Sequence, residues 1–240
     1  MPAAGNIAIT DSQSLMAETR PSICDQTLDR AALQRLARPH ALVQCDLAEA
    51  DLSRLDLSGW SFDRCNLRKT DLSGARLERT HWKSCRAAFA NLTGSDLGEA
   101  VITASDFNNA SLKRARLEDA NFGQCKLTGA DLTDVRALTL HFEETLLIDA
   151  KLPGLSFRRA TLNRVDFSQA DLRKCDFRQA CFTQSSLREA NMQGCRFDGA
   201  DLRGADLGGL RLVDASLFRG ATISREQAAQ LLAELGLNIR

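Results

Sequence analysis

From Leu42 to Leu217 this 240-residue chain repeats itself every five residues. The 36 positions counted in fives hold 22 Leu and nine Phe, with one Ile, one Met, one Trp and two Ala. Two residues before each of them sits a small or apolar residue, as in Ala50-Asp51-Leu52, Ala120-Asn121-Phe122, Ala170-Asp171-Leu172 and Ala200-Asp201-Leu202. The residue between is polar, often Asp or Asn, and the two that follow are mainly polar or Gly. A repeat at fixed period outranks any residue-by-residue assignment of secondary structure.

Five is the wrong period for both regular structures. On an α-helix each step of five turns about 140°, which scatters the Leu set around the circumference. In a flat strand an odd step sends successive Leu residues to opposite faces. What fits is three extended residues followed by a two-residue corner. The small residue and the Leu or Phe then point inward, and the residue between them points outward. Repeated corners wind the chain into a solenoid whose neighbouring coils pair as parallel strands.

Like residues recur at 20. Cys45, Cys65, Cys85 and Cys125 lie 20 or 40 apart, as do Cys175 and Cys195. Phe62, Trp82, Phe122, Phe142 and Phe182 share one column, and Phe157, Phe177 and Phe197 share another. Stacked ladders of this kind predict four sides per coil and about nine coils, a rod about 43 Å long at the strand-to-strand spacing. Parallel crossovers are almost always right-handed. The expected core includes Leu52, Phe62, Leu72, Trp82, Leu92, Phe122, Phe142, Leu172, Phe177, Phe197 and Leu202.

On these residues the run resembles the pentapeptide-repeat family, whose unit is Ala-(Asp/Asn)-Leu-X-X. The resemblance covers about three-quarters of the chain and implies an all-β solenoid, a right-handed quadrilateral parallel β-helix. It leaves activity open, because one fold hosts many functions.

Charge excludes some functions. The chain has 31 basic and 31 acidic residues and a formal net charge of zero, so the whole molecule has no electrostatic reason to bind nucleic acid or an acidic membrane directly. No apolar stretch reaches spanning length and no signal-peptide core follows Met1, so a cytoplasmic protein is expected. Six of the eight Cys (45, 65, 85, 125, 175, 195) fall in the inward small slot, where a thiol acts as a small hydrophobe. Cys24 and Cys181 lie outside that slot and are the reactive candidates. There is no CxxC pair, and the three His are scattered, so no metal or cofactor is expected. His81 and His141 share a column but stand three coils, roughly 14 Å, apart. With the interior filled, no catalytic pocket is expected.

The ends read differently from the middle. Residues 1–21 are expected to form a flexible tail. Residues 22–39 are expected to hold an amphipathic capping helix, with Leu28, Ala32, Leu33 and Leu36 on one face and Asp25 or Thr27 as its cap. The β-helix is expected over 40–220. Residues 221–240 are expected to form a second cap, with Ser224 and Gln227 as a capping box and Gly236 as the stop. Ile223, Ala228, Leu231, Leu232, Leu235 and Leu237 are its candidate dimer contacts. Inside the repeats, Ala87 and Ala137 replace the large inward residue. Phe89, and Leu138 or Leu140, are expected to fill the space, with distorted corners near 86–90 and 135–141. Leu146 and Ile148 place apolar side chains in outward slots, a candidate contact patch.

The ending from Ala215 to Arg240 has a Gly220-Ala221-Thr222-Ile223 lead into an Ala/Leu helix and a Leu-Gly-Leu exit. It is similar to the ends of Qnr/MfpA-type proteins. That resemblance implies a protein that binds DNA gyrase or topoisomerase IV by DNA mimicry, protects it from quinolones or other gyrase poisons, and dimerises through its C-terminal end. The acidic residues placed for such contact are Glu78, Asp96, Glu99, Glu118 and Asp119, with Arg76, Arg79 and Arg116 among them. Arg136, Arg158, Arg159, Arg178 and Arg196 follow on the same side. The chain departs from the type in being neutral and in having no room for projecting loops. The alternative is an interaction scaffold or secreted effector unrelated to topoisomerases.

Overall fold

A computed structural model describes residues 21–36, 39–209, 216–233 and 237–238. The tail expected over residues 1–20, and the positions of Leu235 and Gly236, lie outside the described residues. Nine short strands stack in chain order as one parallel sheet, each hydrogen-bonded to the next. They are β1 (Ser22–Cys24), β2 (Ala41–Val43), β3 (Ser61–Asp63), β4 (His81–Lys83), β5 (Val101–Thr103), β6 (Ala120–Gly123), β7 (Leu140–Glu143), β8 (Thr161–Asn163) and β9 (Cys181–Thr183), with helix α1 (Arg30–Gln34) between β1 and β2. From β2 onward the register is 20, so Leu42 lies on Phe62 and Phe62 on Trp82. This sheet is wall 1. Three further walls, held by parallel bridges such as Asp46↔Asn66, Asp51↔Asp71 and Asp56↔Arg76, complete each coil. The result is a four-walled, right-handed parallel β-helix of about nine coils.

The corners explain the fives. After Leu47 the chain turns through Ala48 and Glu49, and the Ala50 amide donates back to the Leu47 carbonyl at 3.2 Å. Glu49 has φ +59°, the positive value that a type II turn demands at its third residue. The same slot is left-handed at Arg54, Lys69, Arg79 and Phe89 as well as at Gly59, Gly74 and Gly94. Gly is therefore one option at these corners rather than a requirement. A non-Gly residue there costs about 1–2 kcal/mol, offset by the turn bond and by a second bond to the next coil, as from the Glu49 amide to Arg68 at 2.9 Å.

Corners leaving wall 1 work differently, and here the Cys column gains a role that its size alone did not suggest. The inward residue after each of β2–β9 is Cys, Ser, Thr or Val, and at the four Cys, Thr145 and Ser185 the thiol or hydroxyl reaches a carbonyl one coil back. Cys65 Sγ donates to Leu42 O at 3.3 Å, Cys85 Sγ to Phe62 O at 3.2 Å and Thr145 Oγ1 to Phe122 O at 3.0 Å. Ser185 Oγ does the same to Leu162 O at 3.0 Å and accepts the Val165 amide at 3.0 Å. Buried carbonyls without partners are costly, so these thiols and hydroxyls form a hydrogen-bonding spine as well as filling space.

The interior is solid. All the core residues named from the pattern are buried, Leu52, Leu72, Leu92 and Leu172 completely. Phe62 stacks on Trp82 at 4.4 Å, and Phe157, Phe177 and Phe197 stack at 5.0 Å steps nearly parallel. Space at Ala87 is not filled by Phe89, which is 53% exposed. Its corner is regular, with the Ala90 amide on Ala87 O at 3.1 Å. Trp82 on the adjacent wall and Phe107 one coil on from Ala87 meet edge to face at 5.7 Å, so large rings stand on two sides of this slot. At Ala137, which is only partly buried, Phe142 on the adjacent wall and Phe157 one coil on lie 6.2 Å apart. Leu140 is buried beside them, whereas Leu138 is 89% exposed and fills nothing.

The corner after Ala137 is distorted. Thr139 lacks the positive φ found at most corners. On wall 4 the bridges run Asp96↔Arg116 and Arg116↔Arg136, then resume at Ser156↔Asp176, with none joining Arg136 to Ser156.

Both ends leave the 20-residue register. Ile23 pairs with Leu42, 19 residues on, so the first coil starts at Ser22 and not beyond residue 39. Within it α1 is short. Its cap is Asp29, which accepts the Ala32 amide at 2.8 Å, in place of Asp25 or Thr27. Leu28, just before it, and Leu33, within it, are buried. At the far end Asp201 pairs with Thr222, 21 residues on. Residues 216–218 form a 3₁₀ turn, which rises less per residue than a strand and so uses more residues to cross one side. Phe218 therefore joins Leu217 against the core and stacks on Phe197 at 4.6 Å.

Helix α2 (Arg225–Ala233) closes this end. The Ser224 amide donates to Gln227 Oε1 at 2.7 Å and the Gln227 amide to Ser224 Oγ at 3.1 Å, the reciprocal pair of a capping box. Gln227 then donates through Nε2 to the carbonyls of Leu202 at 2.7 Å and Ala205 at 2.6 Å, plugging the last coil.

Candidate protein-binding surface

Because Leu and Phe are consumed by the interior, what remains for function is the outward columns and the corners. Wall 4 gathers the five acidic residues placed there by spacing. Each of the three Arg among them is paired. Arg76 meets Asp56 at 3.1 Å and Glu78 at 3.3 Å, Arg79 meets Glu99 at 3.0 Å, and Arg116 meets Asp96 at 3.1 Å and Glu118 at 3.3 Å. The Arg79 guanidinium holds the Glu99 carboxyl below its usual range. Such exposed pairs add little stability, but they cancel the field that a bare acidic stripe would present.

Farther along the same wall the charge reverses. Arg178 pairs with Asp176, Arg196 reaches Asp198 at 3.5 Å, and Arg159 donates to Gln179 at 2.8 Å. Among the described residues, Arg136 and Arg158 have no carboxylate within ion-pair distance. Leu138 projects between the two halves, and its 89% exposure was not legible from its pentad slot. On wall 2, Leu146 is 36% exposed and Ile148 half-buried.

Of the residues named as dimer contacts, Ile223 and Leu231 pack against the core and Ala228 is half-buried. Leu232 at 39% and Leu237 at 53% exposure remain available on the outside. Leu235 lies outside the described residues.

Chemistry inside the rod is muted. Six Cys are buried, Cys181 is partly exposed and Cys24 is exposed. Burial pushes the Cys125 thiol up to about 11, so it stays protonated and unreactive at neutral pH. An alkylating reagent should modify Cys24, then Cys181, and reach the other six only in denaturant, as read by mass spectrometry. The sign of the linkage is also set. An unfolded thiol at the ordinary value of 9.0 loses its proton before the folded one does. This contribution to stability is therefore complete below about pH 9 and is lost as pH rises through about 11.

His81 and His141 stand on β4 and β7, three coils apart. Among the described residues no group of three or more His, Cys, Asp or Glu is placed to hold a metal ion. No helix among them is long and apolar enough to cross a membrane.

Comparison with known proteins agrees with this architecture. The family model "Pentapeptide repeats" matches in eight copies over residues 45–81, 83–119, 95–134, 141–179 and 180–217. Among solved structures, full-length QnrB1, a plasmid-mediated fluoroquinolone resistance protein, superposes with a TM-score of 0.68. The two are 17% identical, and the match covers 91% of this chain and 98% of that one. HetL, a pentapeptide repeat protein involved in heterocyst differentiation regulation in the cyanobacterium Nostoc, is 23% identical over 77% of this chain and 86% of its own, at a TM-score of 0.34. No curated protein sequence matches. Units of five that build all four walls, matched by the family model over most of their length, make this chain a member of the pentapeptide-repeat family.

Proposed function

We propose that this protein is a non-enzymatic binding protein that acts in the cytoplasm through its outer walls on a protein partner, a type II topoisomerase such as DNA gyrase or topoisomerase IV. One observation carries the surface part of the reading: every apolar column is consumed by the core, leaving charged walls as the working face. The topoisomerase part is motivated by the Ala215–Arg240 ending and by a fold shared along nearly the whole length of QnrB1. The arginine pairing on wall 4 argues for contact through a patterned surface, with Glu78, Asp96, Glu99, Glu118 and Asp119 as its acidic half, in place of an unbroken DNA-like stripe. Leu232 and Leu237 at the C-terminal end are proposed to join two copies.

Purified gyrase, a quinolone and the intact protein test this in a supercoiling assay. Restored supercoiling, or inhibition by the protein alone, is the expected result. No effect in either direction at micromolar protein overturns the topoisomerase reading.

A second reading, an interaction scaffold or secreted effector, is favoured by the zero net charge. Secretion of a reporter fused to residues 1–40 would support it.

A further inference from the structure

We propose that wall 1 carries a second binding site, a groove over β5 to β9 that takes an extended peptide of about six residues and seats one of its lysine or arginine side chains on Glu143. Charge sets this face apart. The ten outward positions of wall 1 from Val101 to Thr183 hold a single formal charge, Glu143, whereas the ten on wall 4 from Asp96 to Arg178 hold seven. The site is separate from the acidic contact proposed on wall 4.

The face is hollowed where it is least charged. Two depressions, of about 500 and 270 Å³, share Asn121 and Glu143 and continue one another along the rod. Gly123 has no side chain and opens the space between Thr103 and Glu143 in its column. Backbone pairing lapses at the same place. β7 and β8 pair only at Glu143↔Asn163, whereas every other neighbouring pair in this wall shares three or four positions. The bridge expected between His141 and Thr161 is absent, and at that rung the depression reaches Phe142.

The chemistry of the groove selects its occupant. Glu143 is exposed and accepts from Asn163 Nδ2 at 3.3 Å. Among the described residues it has no ion-pair partner. Arg164, at the next corner, is held by Glu144, and Arg159, at the opposite corner, donates to Gln179 at 2.8 Å. A carboxylate left without a cation in an otherwise uncharged groove fits one basic group. Asn121, His141, Thr161 and Thr183 are exposed, and their side chains make no hydrogen bond among the described residues. Together they supply the donors and acceptors that a peptide backbone needs. Phe142 is 3% exposed, so it offers no platform for a sugar to stack on. From Val101 to Thr183 the groove crosses four coil steps, about 19 Å, the reach of about six extended residues. Such a segment buries far less than the roughly 800 Å² per partner of a standard interface, so its affinity is modest.

The probe is a bead-bound library of N-acetylated hexapeptides, incubated with the intact, labelled protein at high micromolar concentration. Retained sequences are expected to be enriched in Lys or Arg. Glu143→Gln should weaken binding of a selected peptide about tenfold, the worth of one charge-assisted hydrogen bond. Glu143→Lys should turn the selection toward Asp and Glu. Gly123→Leu should weaken binding by filling the depression with no change of charge. Glu189→Lys, on a corner between walls 2 and 3, should leave the selection as it is. Far-UV circular dichroism checks that each variant is folded. Displacement of a selected peptide by spermidine or lysine amide as readily as by the free peptide would mean that Glu143 takes a bare cation, and overturns the proposal. So does a library from which nothing is retained, or a selection that stays basic in Glu143→Lys. The supercoiling assay reads the topoisomerase contact separately, so the failure of one reading leaves the other standing.

Discussion

Phe177→Ala is expected to destabilise the protein by about 3–5 kcal/mol, read as a shift of the denaturant midpoint at unchanged slope. Phe177 is fully buried. It lies between Phe157 and Phe197, 5.0 Å from each ring at interplanar angles of 8° and 9°. Phe167 meets its edge at 6.1 Å and Phe182 tilts against it at 5.5 Å. Truncation removes a ring from a column whose other members are fixed by backbone pairing above and below. The coils cannot close the gap, because their spacing is set by hydrogen bonds and not by the side chains. Partial collapse is the usual relief for a core cavity, and it is least available here. A loss below about 1 kcal/mol would mean that the ring column contributes little to the rod.

The second large effect is a coupling. Trp82 and Ala87 are 1% and 0% exposed and lie on adjacent walls of one coil. Trp82 stacks on Phe62 and meets Phe107, which lies one coil on from Ala87, edge on, so its ring is expected to take the room that a Leu at 87 would need. Trp82→Leu alone should cost about 2–4 kcal/mol through the cavity it opens. Ala87→Leu alone should cost about 1–3 kcal/mol by overpacking. The double variant restores the volume in the arrangement used by other coils, and is expected to be more stable than the sum of the singles by about 1–3 kcal/mol. The Trp82 indole N–H is satisfied by Thr80 Oγ1 at 2.9 Å. Thr80 keeps its own bond to Leu77 O at 2.6 Å when the indole is gone, so no buried donor is stranded. Additive singles would show that Trp82 does not occupy the room left by Ala87.

How far the sequence could be read follows from where its signal is periodic. Leu52, Leu72 and Leu92 declare their wall because only an inward slot accepts Leu at every fifth residue. Columns at 20, such as Phe157, Phe177 and Phe197, declare how many walls there are. The ends carry no period, and the register there shifts to 19 at Ile23 and to 21 at Thr222. Phe218 joins Leu217 against the core for the same reason: a 3₁₀ turn changes the residues needed per side, which counting in fives cannot register.

Ala87 was readable as a hole, but not its filling, which comes from an adjacent wall and so depends on geometry between columns. Phe89 occupies a corner slot whose neighbours point outward whatever their hydrophobicity. The Cys column looked like packing because thiols are small and apolar, and its donor role appears only with the carbonyls of the preceding coil in place. On wall 4 the gathering of Glu78, Asp96, Glu99, Glu118 and Asp119 was legible from spacing. Their neutralisation was less so, because Arg76, Arg79 and Arg116 choose among partners two residues or one coil away.

Every functional statement rests on the interior being a filled four-walled stack with a 20-residue rise. Methyl NOE spectra of Leu-labelled protein address that directly. Strong cross-peaks are expected from Leu52 to Leu72 and from Leu72 to Leu92, with none of comparable strength from Leu52 to Leu92. Leu52 methyls that contact residues at some other interval, with no cross-peak to Leu72, would contradict the stack and with it the assignment of work to the outer walls.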